Sequence, residues 1–298
     1  MGKIPHRLLP KLLQIRELII TGMGIFRFKK FEVINERSAM KVNTDGVLLG
    51  AAMTLAPSDS RLLDIGTGTI ALMAAQRLAN FRNACPQPEV ERTLSSEANC
   101  NRERHHLLEV SSETQNGGVW IDAIDIDEPS ASEAAANFEH SPWAESLHAH
   151  NLSLEEFESA LQQSEFRYDL IFSNPPYFED SLTAPDERKS AARHTSDGLS
   201  YRDIFDFAKT HLSDSGRVAL VLPSDQEMAI CRYARMSGLH LFRVLRIRTV
   251  PRKAPSRIVN EFSRVIQQSV DDTVLTIQNE GQYTQEYLSL TKDFYLFA

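Results

Sequence analysis

From residue 61 to the C-terminus, short apolar runs alternate with segments of helical period, and that rhythm constrains the fold more than any other feature. Arg61 to Gly66 reads as a buried strand and Ile70 to Asn80 as a helix. Val119 to Asp127 is a second strand, followed by a helix that has Pro129 near its start. Ser146 to Leu152, Tyr168 to Tyr177, Arg217 to Pro223 and Leu239 to Val250 continue the strands, with helical patterns at 154–164, 201–212 and 226–238. Strands separated by helices join in parallel through crossovers. The pattern therefore predicts an α/β fold with a doubly wound, mostly parallel sheet, whose ligands sit at the carboxyl ends of the strands. Asn260 to Gln268 and Asp272 to Gln278, separated by a polar break, read as a closing C-terminal antiparallel hairpin.

Three further segments set the organisation. Residues 1–22 read as a leader ahead of a functional start at Met23, and they lack the small-residue cleavage site of a secretory signal. Residues 23–60, beginning with the strand-like Ile25 to Ile34, read as an N-terminal cap on the substrate side of the main domain at 61–298. Residues 81–118 are polar and without period, and read as an insertion between the first helix and the second strand.

The net charge of −8 excludes a protein that coats nucleic acid indiscriminately, yet residues 1–43 and 243–264 each carry a local balance of +6. Two basic segments on an acidic body suit a chain that grips a polyanion at one face. No stretch of eighteen uninterrupted apolar residues is present, so no conventional membrane span is expected. Cys85, Cys100 and Cys231 make an odd count without CxxC spacing, which supports neither a disulfide framework nor a zinc site. His105 and His106 beside Cys100 lack a matching ligand set, so no metal is expected, and the reducing cytoplasm is the expected compartment.

The chemistry concentrates at three strand ends. Asp64-Ile65-Gly66-Thr67-Gly68-Thr69 leaves the first strand and opens a helix, where glycines admit a ligand to the backbone and the helix start offers amides. Asp125, at the end of the second strand, is placed to accept hydrogen bonds from the ribose hydroxyls of an adenosine-containing cofactor. Asn174-Pro175-Pro176-Tyr177 ends a strand that its prolines forbid to continue. There the Asn174 side-chain oxygen and the Pro175 carbonyl can accept from one planar NH₂ group while Tyr177 stacks on the ring that carries it.

These residues resemble S-adenosyl-L-methionine-dependent methyltransferases of exocyclic and amide nitrogens, whose turn reads [DNS]-P-P-[YFW]. Phe26 to Phe31, Met40 to Ala51, Arg193-His194-Thr195 and Thr291 to Leu296 narrow the likeness to the bacterial tRNA1(Val) (adenine(37)-N6)-methyltransferases. The resemblance implies a Rossmann-like, seven-stranded class I methyltransferase that modifies adenine N6 beside the anticodon, with tRNA and S-adenosyl-L-methionine as partners. It implies that Asn174, Pro175, Pro176 and Tyr177 hold the amine, while Asp64, Gly66, Gly68, Asp125 and Ser153 contact the cofactor. It further implies a lid of Lys41, Thr44 and Asp45, although Thr44 and Asp45 also fit an Asx-type turn opening a helix. Arg27, Lys29, Lys30, Arg188, Lys189, Arg193, Arg252, Lys253 and Arg257 would follow the RNA backbone.

The chain departs from that family pattern twice. Thr69 runs directly into Ile70-Ala71-Leu72-Met73, two residues short of the usual loop, so the following helix must restart or the cofactor loop is disabled. Asn43 stands where the family usually has glycine. Two other readings follow: a glutamine-N5 protein methyltransferase using the same turn, and a non-catalytic RNA-binding fold that has lost its cofactor.

Overall fold

The computed structural model describes residues 24–84, 118–161, 166–176 and 199–298. The expected leader, most of the insertion, and Tyr177, Arg188, Lys189 and Arg193 lie outside the described residues.

The described residues begin with an antiparallel pair, β1 (Ile25–Arg27) and β2 (Glu32–Ile34), and then α1 (Thr44–Ala52). The main domain follows as β3 (Arg61–Ile65), α2 (Thr69–Ala84), β4 (Trp120–Ile124), α3 (Glu128–Glu139), β5 (Leu147–His150), α4 (Leu154–Leu161) and β6 (Tyr168–Ser173). It continues through α5 (Tyr201–His211), β7 (Leu212–Pro223), α6 (Glu227–Met236), β8 (His240–Arg248), β9 (Arg257–Ser263) and β10 (Asp271–Thr276). A small hairpin of β11 (Gln278–Asn279) and β12 (Gln282–Tyr283) leads into α7 (Gln285–Thr291).

One sheet has eight strands in the order β10-β8-β9-β7-β6-β3-β4-β5, parallel except for β9, which runs against both β7 and β8. The sequence-based count of seven is exceeded because β10 adds in parallel to the outer edge of β8. A C-terminal antiparallel hairpin is present as β8–β9, while Asn260 to Ser263 and Asp272 to Thr276 flank β8 on opposite sides. The chain goes outward from β3 through β4 to β5, then returns to place β6 on the other side of β3. That reversal opens a crevice at the carboxyl ends of β3 and β6, the place where doubly wound sheets bind ligands.

Both faces of the sheet are covered, which is why its strands read as continuous apolar runs. Leu62, Leu170, Phe172 and Ala219 pack with α1 and α2 on one face through Leu49 and Met73. The intervening Leu63, Ile171 and Val218 pack with Phe157, Phe205 and Ile230 on the other. Local caps set the helix starts. Asp127 accepts from the Ser130 amide at the head of α3, and Ser200 and Asp203 form a capping box at the head of α5.

The N-terminal segment is held against the main domain at several points. Phe28 stacks on Phe31 with ring centroids 4.5 Å apart and on Tyr295 at 6.2 Å, and the Lys29 amide donates to the Phe294 carbonyl at 2.8 Å. Further along, the buried Glu133 carboxylate of α3 accepts from the amides of Glu36 (3.0 Å), Arg37 (2.7 Å) and Ser38 (2.9 Å), and from the Ser38 hydroxyl. Burial works against ionisation of Glu133, but the bonds from Ser38, Arg37 and Glu36 together hold its carboxyl below the usual range. This contribution is present above the ordinary carboxylate range and is lost as pH falls through the depressed value. Glu133→Ala would strand three amides and is expected to cost about 2–4 kcal/mol of stability at neutral pH. Urea unfolding measures it, and a cost under about 1 kcal/mol would contradict the assignment.

Candidate active site

At the end of β3, Asp64 points into the interior between strand and helix. Its Oδ2 accepts from the Ala71 amide at 2.9 Å, in the first turn of α2, while its Oδ1 is buried with no partner among the described residues. Burial, opposed by the Ala71 hydrogen bond and reinforced by the charge of Asp125, pushes the Asp64 carboxyl up to about 7. The loop itself turns on Gly68 at φ +79°, where an added Cβ would lie 2.8 Å from the Phe138 ring. Only glycine meets both conditions.

The two-residue departure is absorbed here. Helix α2 begins at Thr69, and the Leu72 amide already donates to the Gly68 carbonyl at 3.1 Å. The helix therefore starts directly from the last glycine of the loop, with the Asp64 carboxylate holding one of its first-turn amides in place of a local cap.

At the end of β4, Asp125 Oδ1 accepts from the Asp127 amide at 2.9 Å, and burial raises its carboxyl, opposed by that bond and aided by the charge of Asp127. Asn151 steadies this strand end by donating from Nδ2 to the carbonyls of Asp125 (3.0 Å) and Ile126 (3.1 Å). Between the two acids Ile126 is 74% exposed, an apolar side chain presented beside the carboxylate. Neither Asn151 nor Ile126 is marked by a motif, although an isoleucine flanked by acids at a strand end is a signal the sequence does contain. Ser153 is bound up locally. Its hydroxyl and amide both donate to Glu156, and the hydroxyl accepts from the Glu156 amide, which caps α4.

At the end of β6, across β3 from Asp125, the Ser173 hydroxyl donates to the Ile65 carbonyl at 2.6 Å and locks the two strand ends together. Asn174 follows half-buried, Pro175 buried and Pro176 exposed. The Asn174 Nδ2 faces Asn43 Oδ1 at 3.4 Å and Met40 Sδ at 3.6 Å. Thr44 and Asp45 open α1 behind the cap residue Asn43, and Asp45 pairs with Arg257 at 2.8 Å. Lys41 donates from Nζ to the carbonyls of Asn35 (2.8 Å) and Glu36 (2.6 Å), so its ammonium ties the N-terminal segment to itself.

The basic residues divide into two groups. Arg252 and Lys253 are exposed in the turn between β8 and β9, and Arg257 pairs in register with Pro223 at the carboxyl end of β7. This turn thus stands on the same sheet edge as Asn174. Arg27, Lys29 and Lys30 do not join it. Arg27 pairs with Glu32, Lys29 donates to the carbonyls of Lys292 and Ala298, and Lys30 donates to Asn80. Asn80 lies eleven residues beyond the start of α2, about 16 Å down the helix from that edge. Among the described residues, no group of three or more His, Cys, Asp or Glu could hold a metal, and no helix is long and apolar enough to cross a membrane.

The arrangement fits an adenosyl cofactor: a buried carboxylate oxygen in want of a donor, a loop glycine that no side chain could replace, and a carboxylate with an exposed apolar neighbour. Comparisons with known proteins agree. Residues 52–247 match the model of UPF0020, described as an RMKL-like methyltransferase domain. The chain is 35% identical over 274 residues to a protein of Parabacteroides distasonis named tRNA1(Val) (adenine(37)-N6)-methyltransferase, covering 91% of this chain and 97% of that one. A protein of the same name from Trichodesmium erythraeum is 35% identical over 278 residues, covering 92% and 99%. Among solved structures, a predicted O-methyltransferase from Agrobacterium tumefaciens superposes with a TM-score of 0.55 at 13% identity, covering 84% of this chain and 96% of that one, a likeness of fold.

The Asp64 environment has a measurable consequence in the cofactor-free protein. The folded state keeps the proton up to about 7, whereas the carboxyl ordinarily releases it near 3.8. Stability from this group is therefore present at low pH and lost as pH rises through that window. Asp64→Asn is expected to abolish this fall, read as urea-unfolding free energies at about pH 5 and about pH 8. An identical pH slope in both proteins would contradict it.

Proposed function

This chain belongs to the tRNA1(Val) (adenine(37)-N6)-methyltransferase family, and on that premise we propose that it methylates N6 of the adenine beside the anticodon of a valine tRNA. The observation that carries the reading is the Asn174-Pro175 turn at the end of β6, set across the switch point of the sheet from Asp64 and Asp125.

When bound, S-adenosyl-L-methionine supplies a methyl group made electrophilic by its sulfonium. Asp125 would hold the ribose hydroxyls and Ile126 would pack against the cofactor's adenine. Asp64 Oδ1 would receive a donor from the methionyl end, whose positive charge favours the carboxylate form. The Asn174 Oδ1 and the Pro175 carbonyl would each accept one N–H of the target amine, which raises electron density on its nitrogen and aims the lone pair. Held this way by Asn174 and Pro175, the amine nitrogen would take the methyl group from the bound cofactor, which would leave as a thioether, and would then release one proton to water. No strong base is needed, because the proton leaves a nitrogen that is already cationic.

The target base must leave its stack to reach a sheet-edge crevice, a cost that is smaller in a loop than in a duplex. Arg252 and Lys253 on the adjoining turn would track the RNA backbone. Such a substrate would put the protein in the cytoplasm. A glutamine-N5 methyltransferase is set aside by relatives that match this chain over 91–92% of its length under the adenine-N6 name.

The test is nucleoside mass spectrometry of an unmodified valine tRNA transcript incubated with the protein and S-adenosyl-L-methionine. N6-methyladenosine is the expected product, and Asn174→Ala is expected to slow its formation by about 100-fold or more. Absence of product, or full activity in Asn174→Ala, would contradict the reading. The double substitution Arg252→Ala/Lys253→Ala is expected to weaken tRNA binding and reduce the slope of log affinity against log salt by about 1–2. An unchanged slope would remove the turn from the RNA surface.

A further inference from the structure

The Asn174 amide presents two chemically opposite ends, and only one of them can serve an incoming amine. Its carbonyl can accept an N–H, whereas its NH₂ group would repel one. A half-turn about the terminal bond exchanges the two, so a surrounding group must fix the orientation.

The Asn174 Nδ2 faces Met40 Sδ at 3.6 Å, a weak acceptor, and the stronger acceptor Asn43. The orientation of Asn43 is itself set twice over, because its Nδ2 donates to the Lys41 carbonyl at 3.1 Å and its Oδ1 accepts from the Gly46 amide at 2.9 Å. The same Oδ1 faces Asn174 Nδ2 at 3.4 Å, across 131 residues of sequence. Asn43 stands at φ −136° and ψ 165°, an extended backbone that any residue adopts, so the departure from glycine here is not a matter of backbone freedom. What the side chain adds is a cap for α1 and an acceptor for Asn174.

We infer that Asn43 is a positioning residue, whose side-chain carbonyl holds the Nδ2 of Asn174 and thereby turns Asn174 Oδ1 toward the methyl-accepting amine. The inference rests on the reading of Asn174 given above. The Lys41 carbonyl, the Asn43 amide and the Asn174 amide form a polar relay in which each donor end points back toward the N-terminal segment. The segment that begins the relay is anchored by Glu133 through residues 36–38 and by the Asp45–Arg257 pair, so its geometry is not left to an unsupported loop.

Two substitutions separate the cap from the orienting role. Serine caps a helix about as well as asparagine but is one atom shorter toward Asn174. Asn43→Ser is therefore expected to leave the melting temperature and the affinity for S-adenosylhomocysteine unchanged, and to lower kcat about fivefold or more with KM for the tRNA transcript unchanged. Asn43→Asp keeps the cap and an acceptor at the same reach, gives up the bond to the Lys41 carbonyl, and is expected to recover most of the lost rate. The inference is overturned if Asn43→Ser turns over at the unsubstituted rate. It is equally overturned if the rate and the melting temperature fall together in both variants, which would make Asn43 a structural cap alone. An active Asn174→Ala would instead sink the reading of the clamp, and the two failures are thus distinguishable.

Discussion

The Asp64 carboxylate reaches the Ala71 amide at 2.9 Å, and through that one bond the end of β3 dictates where α2 begins. By the resemblance read from the sequence, the loop between them is two residues short, so a helix entered at the usual place would be rotated by about 200°. Here the helix instead starts at Thr69, directly behind a left-handed Gly68 packed against Phe138. The loop keeps its glycines and its acid, and the cost is borne by a buried carboxyl that resists ionisation until about pH 7. That cost is what a cationic ligand beside the carboxylate would relieve.

The N-terminal segment belongs to the same device. Glu133 gathers residues 36–38, Lys41 closes on the carbonyls of Asn35 and Glu36, and Asn43 caps α1 beside Asn174. The strand ends carry Asp64, Asp125 and Asn174, and this segment reaches the Arg257 side of the sheet through Asp45. A partly buried ion pair of this kind contributes little alone, but the buried Glu133 bonds tie the segment to α3.

Much of this is legible in the sequence because the sheet is covered on both faces. Continuous apolar runs locate β3, β4 and β6, and with them the strand-end positions of Asp64, Asp125 and Asn174. What escapes is non-local. Ile25 to Ile34 reads as one strand-like run, yet it folds into a pair because Phe28 and Phe31 turn inward onto Tyr295 and Trp143, partners more than a hundred residues away. Asp272 to Thr276 reads as the partner of the preceding strand, but local pattern does not specify which edge a strand joins, and it pairs with β8. Charge count groups Arg27, Lys29 and Lys30 with the residues expected to follow RNA, whereas each is engaged by a carboxylate, a carbonyl or an amide of its own protein. The Asn43–Asn174 approach has no sequence signature at all, since nothing in either motif refers to the other.

The central claim is that a shortened loop still builds a working cofactor site, and isothermal titration with S-adenosylhomocysteine tests it most directly. The account predicts one site per chain with micromolar affinity, lost when Asp125 is replaced by alanine. No heat of binding to the unsubstituted protein, or binding indifferent to Asp125, would contradict it.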